Sequence, residues 1–125
     1  MENTNNLKQK ATLFYNNFNK NKKKCKKLFK DIVVYINENK IELSQSNKDN
    51  IKLLIHHWNN TKDYSAQDYL NMKDIDIEIN NNLDNDNSSL KELFNSYLMF
   101  GEKFRSNLIK FYEYVAQIEE LEPQK

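Results

Sequence analysis

Seven lysines crowd residues 20–30: Lys20, Lys22, Lys23, Lys24, Lys26, Lys27 and Lys30. Each could neutralise one phosphate of a nucleic acid, giving binding that weakens steeply with salt. Each could equally sit near an anionic lipid headgroup, where a lysine is worth about 1 kcal/mol. The chain has a single arginine, Arg105. Bidentate reading of guanine favours arginine, so any nucleic-acid contact is expected to be unspecific. The bland alternative is a solvated helix face. The run from Lys22 to Lys27 also has the form of a nuclear import signal, a pattern with many false matches.

The other reactive side chains offer less. His56 and His57 are adjacent, and neighbours on a helix point about 100° apart, so they do not chelate one ion as an i, i+4 pair does. Cys25 sits among lysines that would make a thiol more acidic, yet it falls on an apolar stripe with no histidine close in sequence, which reads as a structural cysteine. No glycine-rich phosphate loop, Gly-x-Ser-x-Gly or His-Glu-x-x-His pattern occurs. The acids fall in polar stretches, and none pairs obviously for acid–base work. The expectation is therefore no enzyme, no metal site, no cofactor and no small-molecule substrate.

Long helices must position these residues. One Gly and one Pro in 125 residues leave few tight turns for a β fold. From Leu90, steps of four and three reach Phe94, Tyr97, Gly101, Phe104, Leu108, Phe111, Val115 and Ile118, the seam spacing of a packed helix. Leu93, Phe100, Tyr114 and Leu121 widen the stripe on one side and Leu98 and Tyr112 on the other, which suits a helix gripped by two neighbours. A matching frame runs from Leu7 through Ala11, Phe14, Phe18, Asn21, Cys25, Leu28 and Ile32 to Tyr35. Asn21 in that frame is an edge position or a register-setting polar residue.

Between these helices, Lys40 to Gln45 reads as a turn and Ser46 or Asn47 as the cap of a second helix with Ile51, Leu54, Ile55 and Trp58 inside. Ser65 with Asp68 starts a third segment carrying Tyr69, Met72, Ile79 and Leu83. Within it, Asp74 to Ile79 alternates at period two, a strand signal that competes with helix. Residues 80–89 form an Asn/Asp-rich loop expected to be mobile, Ser88 or Ser89 caps the last helix, and Pro123 ends it.

The fold class is all-α: an elongated bundle of two long helices, first and last, with two shorter middle helices in a single domain over residues 1–125. The first and last helices are each about 33 residues, or roughly 50 Å. The expected arrangement is up-down-up with a middle arm broken near Thr61 to Ser65; the alternative is a four-helix bundle in which the middle segments fold against each other.

Net charge is +1, with basic residues gathered before Lys30 and acidic ones between Asp63 and Glu92. A lone cysteine, a polar start and no long apolar run point to a cytoplasmic, or nuclear, protein. The leading functional expectation is a helical protein–protein interaction module: an adaptor, complex subunit or small inhibitor. Met99, Phe100 and Ile109 are candidate partner contacts on the last helix. Ile75, Ile77 and Ile79 are candidates for adding as a strand to a partner's sheet. A homodimer is a further expectation, and the alternative class is a polyanion-binding module that docks the lysine face on anionic membrane or nucleic acid.

Overall fold

The computed structural model describes residues 4–83 and 87–121. Among them are four α-helices and one short 3-10 turn: α1 (Thr4–Glu38), α2 (Gln45–Asn59), the 3-10 turn Thr61–Asp63, α3 (Ala66–Asn81) and α4 (Ser88–Leu121). No strand occurs among the described residues.

The long helices form where the two apolar frames lie. Leu7, Ala11, Phe18, Cys25, Phe29 and Ile32 of α1 are buried against Leu90, Phe94, Tyr97, Phe104 and Leu108 of α4. The two run antiparallel, because Phe29 meets Tyr97, Phe18 meets Phe104 and Phe14 meets Tyr114. Asn21 is half-buried and donates to the Asn17 carbonyl one turn back (2.9 Å), which makes it an edge position of the frame.

The middle of the chain takes the second of the two arrangements. α2 and α3 fold back on each other, with the Asn47 amide donating to the Asn82 carbonyl at one end (3.1 Å) and the His57 ring bonded to the Tyr64 hydroxyl at the other. The chain therefore runs up, down, up, down. A continuous middle arm would have left α1 and α4 parallel.

The strand signal of Asp74 to Ile79 loses to helix. Tyr69, Met72, Asp76, Ile79 and Leu83 are buried at steps of three and four, so core burial overrides the local alternation.

Local chemistry fixes the ends. α1 stops where Lys40 turns to φ 49°. There the amide of Ile41 donates to the Ile36 carbonyl (3.1 Å) and that of Lys40 to the Asn37 carbonyl (3.3 Å), the paired bonds of a Schellman end. The cap of α2 is Ser44, whose hydroxyl accepts from the Asn47 amide, rather than Ser46 or Asn47. Asn47 is instead buried, one turn in, where its side chain reaches α3. Ser65 and Asp68 form the expected start of α3 as a reciprocal capping box. α4 is capped by Asn87, whose side chain accepts from the Leu90 amide (3.0 Å), and Ser88 and Ser89 already belong to the helix. The expected loop is also shorter, since Asn80 and Asn81 are helical. Residues 84–86 and Pro123 lie outside the described residues.

Because α2 and α3 are less than half the length of α1 and α4, the molecule has two zones. In the head, Trp58, Tyr69, Tyr97 and Phe104 interlock, with ring centroids between 6.0 and 6.4 Å for the Trp58–Phe104, Tyr69–Phe104 and Trp58–Tyr97 pairs. In the stem, the start of α1 packs along the end of α4. Phe14 stacks on Tyr114 at 5.6 Å and Tyr15 meets Phe111 at 5.1 Å. Phe111, Val115 and Ile118 continue the seam but are only half-buried there, since one neighbour covers them instead of two.

Candidate interaction groove

Three pairs of helices pack along the head: α1 with α4, α4 with α3, and α3 with α2. The ring does not close. α1 and α2 make no comparable backbone approach, and the space between them is an apolar trough.

Its upper part has a volume of about 310 Å³ and is lined by Val33, Ile36, Ile41, Leu43, Ile51 and Ile55. The lower part, about 400 Å³, continues past Val33 and Ile55 to Phe29, Val34 and Trp58. The α1 wall runs from Lys26 to Asn37, roughly 16 Å or three helical turns. Among the described residues, the only ionisable groups in the lining are lysines: Lys26 and Lys30 on α1, Lys48 and Lys52 on α2. Val34 (44 % exposed) and Ile55 (37 %) are large aliphatic side chains left open to solvent there.

Two of the expected polyanion residues therefore stand on the rim of the trough. The rest of the cluster spreads around α1. Lys20, Lys23, Lys24, Lys26, Lys27 and Lys30 are exposed. Lys22 is half-buried over the rings of Phe18 (5.1 Å) and Tyr69 (5.5 Å), and burial followed by repulsion from Lys23 and Lys26 lowers its pKa. Lys24 lies 5.1 Å above the Phe100 ring, and Lys103 lies at the same distance. The seven lysines do not converge on one site.

The candidate partner residues of α4 do not assemble either. Met99 (48 % exposed) and Ile109 (45 %) share the solvent face but stand about 15 Å apart along it, with Glu102 and Ser106 between. Phe100 is half-buried beneath the two lysines. Of the α3 isoleucines, Ile79 is in the core, Ile75 packs against it, and only Ile77 is open to solvent. All three are helical, so the strand-addition route does not exist in this fold.

Sequence reasoning missed a buried polar group beneath the trough floor. Trp58 Nε1 donates to the Tyr97 hydroxyl (3.1 Å), which donates to Asp76 Oδ1 (2.8 Å). Arg105 stands 3.5 Å from Asp76 Oδ2, and both are almost fully buried. Burial pushes the Asp76 carboxyl up to about 7, against the Tyr97 bond and the Arg105 charge that favour its ionised form. Burial, with Asp76 beside it, also raises the Tyr97 phenol. The chain Trp58–Tyr97–Asp76–Arg105 ties α2, α4 and α3 at one level and fixes their mutual register.

Gly101 belongs to this group. A Cβ there would sit 3.0 Å from the Arg105 guanidinium, so the missing side chain makes room for Arg105.

Cys25 seals the same level: its thiol, inaccessible to solvent, donates to the Tyr97 carbonyl (3.5 Å), and burial raises its pKa strongly. His57 is half-buried against Tyr64, with its pKa lowered chiefly by burial, while His56 is exposed. No helix among the described residues is long and apolar enough to cross a membrane.

No protein-family model matches this chain, and neither the curated proteins nor the solved structures contain a match.

Proposed function

We propose that this chain is a non-enzymatic helical interaction module that receives a helical segment of a partner protein between α1 and α2. One observation carries the reading: a ring of four helices left open on one side, with aliphatic side chains lining the gap. A trough about three turns long, floored by Phe29, Ile51 and Trp58 and walled by Val33, Val34 and Ile55, has the dimensions of helix-in-groove recognition. A fifth helix laid there would close the ring.

The test is photo-crosslinking from position 34 in the full chain, with Val34→Glu and Ile55→Glu as groove variants and Ile109→Glu as the control on the opposite face. Circular dichroism confirms that each variant folds. Crosslinked partners lost with the groove variants and retained with the control support the reading. Loss with Ile109→Glu alone, or indifference to both groove variants, overturns it.

The polyanion reading keeps one specific support, the exposure of six of the seven lysines. It predicts binding to mixed-sequence duplex or anionic vesicles that disappears as salt rises and on changing Lys22, Lys23, Lys26 and Lys27 to Gln.

A further inference from the structure

We infer that the segment received between α1 and α2 is an acidic amphipathic helix, its carboxylates meeting the four lysines on the rim. The inference rests on the groove reading above and adds the chemistry of the partner.

The lysines are placed in a particular way. Lys26 and Lys30 are four residues apart on α1; Lys48 and Lys52 are four residues apart on α2. All four are exposed. Like charges at that spacing face each other along one side of a helix and destabilise it slightly, so each pair carries a small standing repulsion. Both pairs border the same trough, and no carboxylate lines it among the described residues. A carboxylate held between the members of a pair would turn repulsion into attraction on both walls.

The antiparallel course of α1 and α2 sets the pattern more closely. Lys26 and Lys30 border the lower end of the trough, beside Trp58 and Asn59. Lys48 and Lys52 border the upper end, beside Ile41 and Leu43. The two pairs are therefore diagonal. A complementary helix has apolar residues at i, i+3, i+4 and i+7 facing the floor. It carries acids on one flank in its first turns and on the opposite flank in its last turns. A lipid headgroup gathers charge at one end of an acyl chain and does not match this diagonal.

Two synthetic helical peptides of about four turns decide it. Both carry the same apolar face; one has Glu in the diagonal flank positions, the other Lys. Binding to the full chain is read by peptide anisotropy and by the emission of Trp58, the only tryptophan. Vesicles of phosphatidylserine and phosphatidylcholine form a third arm.

The expected result is saturable binding of the Glu peptide, at least tenfold tighter than the Lys peptide at low salt. It should weaken about tenfold when Lys26, Lys30, Lys48 and Lys52 become Gln, and Ile55→Glu should abolish it. Equal binding of both peptides, unchanged by the lysine substitutions but lost with Ile55→Glu, overturns the acidic preference and leaves the groove reading standing. Binding of neither peptide removes both. Vesicle binding that exceeds peptide binding and is lost with the lysine substitutions assigns the rim to lipid and overturns the inference.

Discussion

At the scale of residues, the group around Asp76 makes stability depend on pH in an unusual direction. Its carboxyl titrates near 7 in the fold against an ordinary value of 3.8. A carboxyl whose folded pKa lies above its unfolded one favours the fold in its protonated form. That contribution is complete below about pH 4 and is lost as pH rises through about 7. Urea unfolding between pH 4 and 8 should therefore show stability falling with pH by an amount on the order of 1–4 kcal/mol. Asp76→Asn should flatten that dependence. Arg105→Met should cost about 3 kcal/mol above pH 7, where it strands a buried carboxylate, and distinctly less at pH 5; an equal cost at both would place the ion pair outside the pH response. The sequence contained the signal. Tyr69, Met72, Asp76, Ile79 and Leu83 keep steps of three and four without a break, and Arg105 follows Gly101 by one turn. A carboxylate in a seam position reads as solvent-facing until its partner is known, and that partner lies on another helix.

Single elements are governed by their ends. Lys40 holds a left-handed conformation at the close of α1, where a side chain costs about 1 kcal/mol and glycine costs little. Lys40→Gly should raise stability by about 0.5–1 kcal/mol in thermal or denaturant unfolding, and Lys40→Val should lower it. A null result for both would mean that Lys40 does not carry the strain its φ implies. The full course of α1 and α4 was legible from periodicity and the start of α3 from the capping box at Ser65, whereas within α3 the period-two alternation of Asp74 to Ile79 competed with helix. The caps at Ser44 and Asn87 were not, because serines and asparagines crowd both junctions and any of them can accept an amide. The choice falls to whichever side chain the tertiary path leaves at the helix start: Asn47 was withdrawn to bond with Asn82, and Asn87 was positioned ahead of Ser88.

For the molecule as a whole, head and stem should differ in how readily they open. The head joins four helices through interlocked aromatic rings; the stem joins two. Native-state hydrogen exchange should find the amides of residues 5–12 and 114–121 opening at a small fraction of the global unfolding free energy, and those near Cys25, Met72 and Tyr97 only with global unfolding. Uniform protection along α1 would contradict the division. The bundle class could be read from two long seams and a shortage of turn residues. The fold-back of α2 on α3, and with it the open side of the ring, could not. It depends on a turn at Thr61–Asp63 whose residues suit a bend of any angle, and the gap belongs to the divergence of two helices rather than to a stripe on either.

The sealed thiol of Cys25 supplies a clock for these motions. A thiol that is shut away from solvent and held in its protonated form does not react with an alkylating reagent while the head stays closed. Because the chain has no second cysteine, the alkylation rate counts openings of the head and nothing else. It should slow or quicken tenfold for each 1.4 kcal/mol by which a variant or a bound helix shifts that opening. Modification as fast as that of a free thiol, in an otherwise folded protein, would mean that the layer around Tyr97 breathes locally.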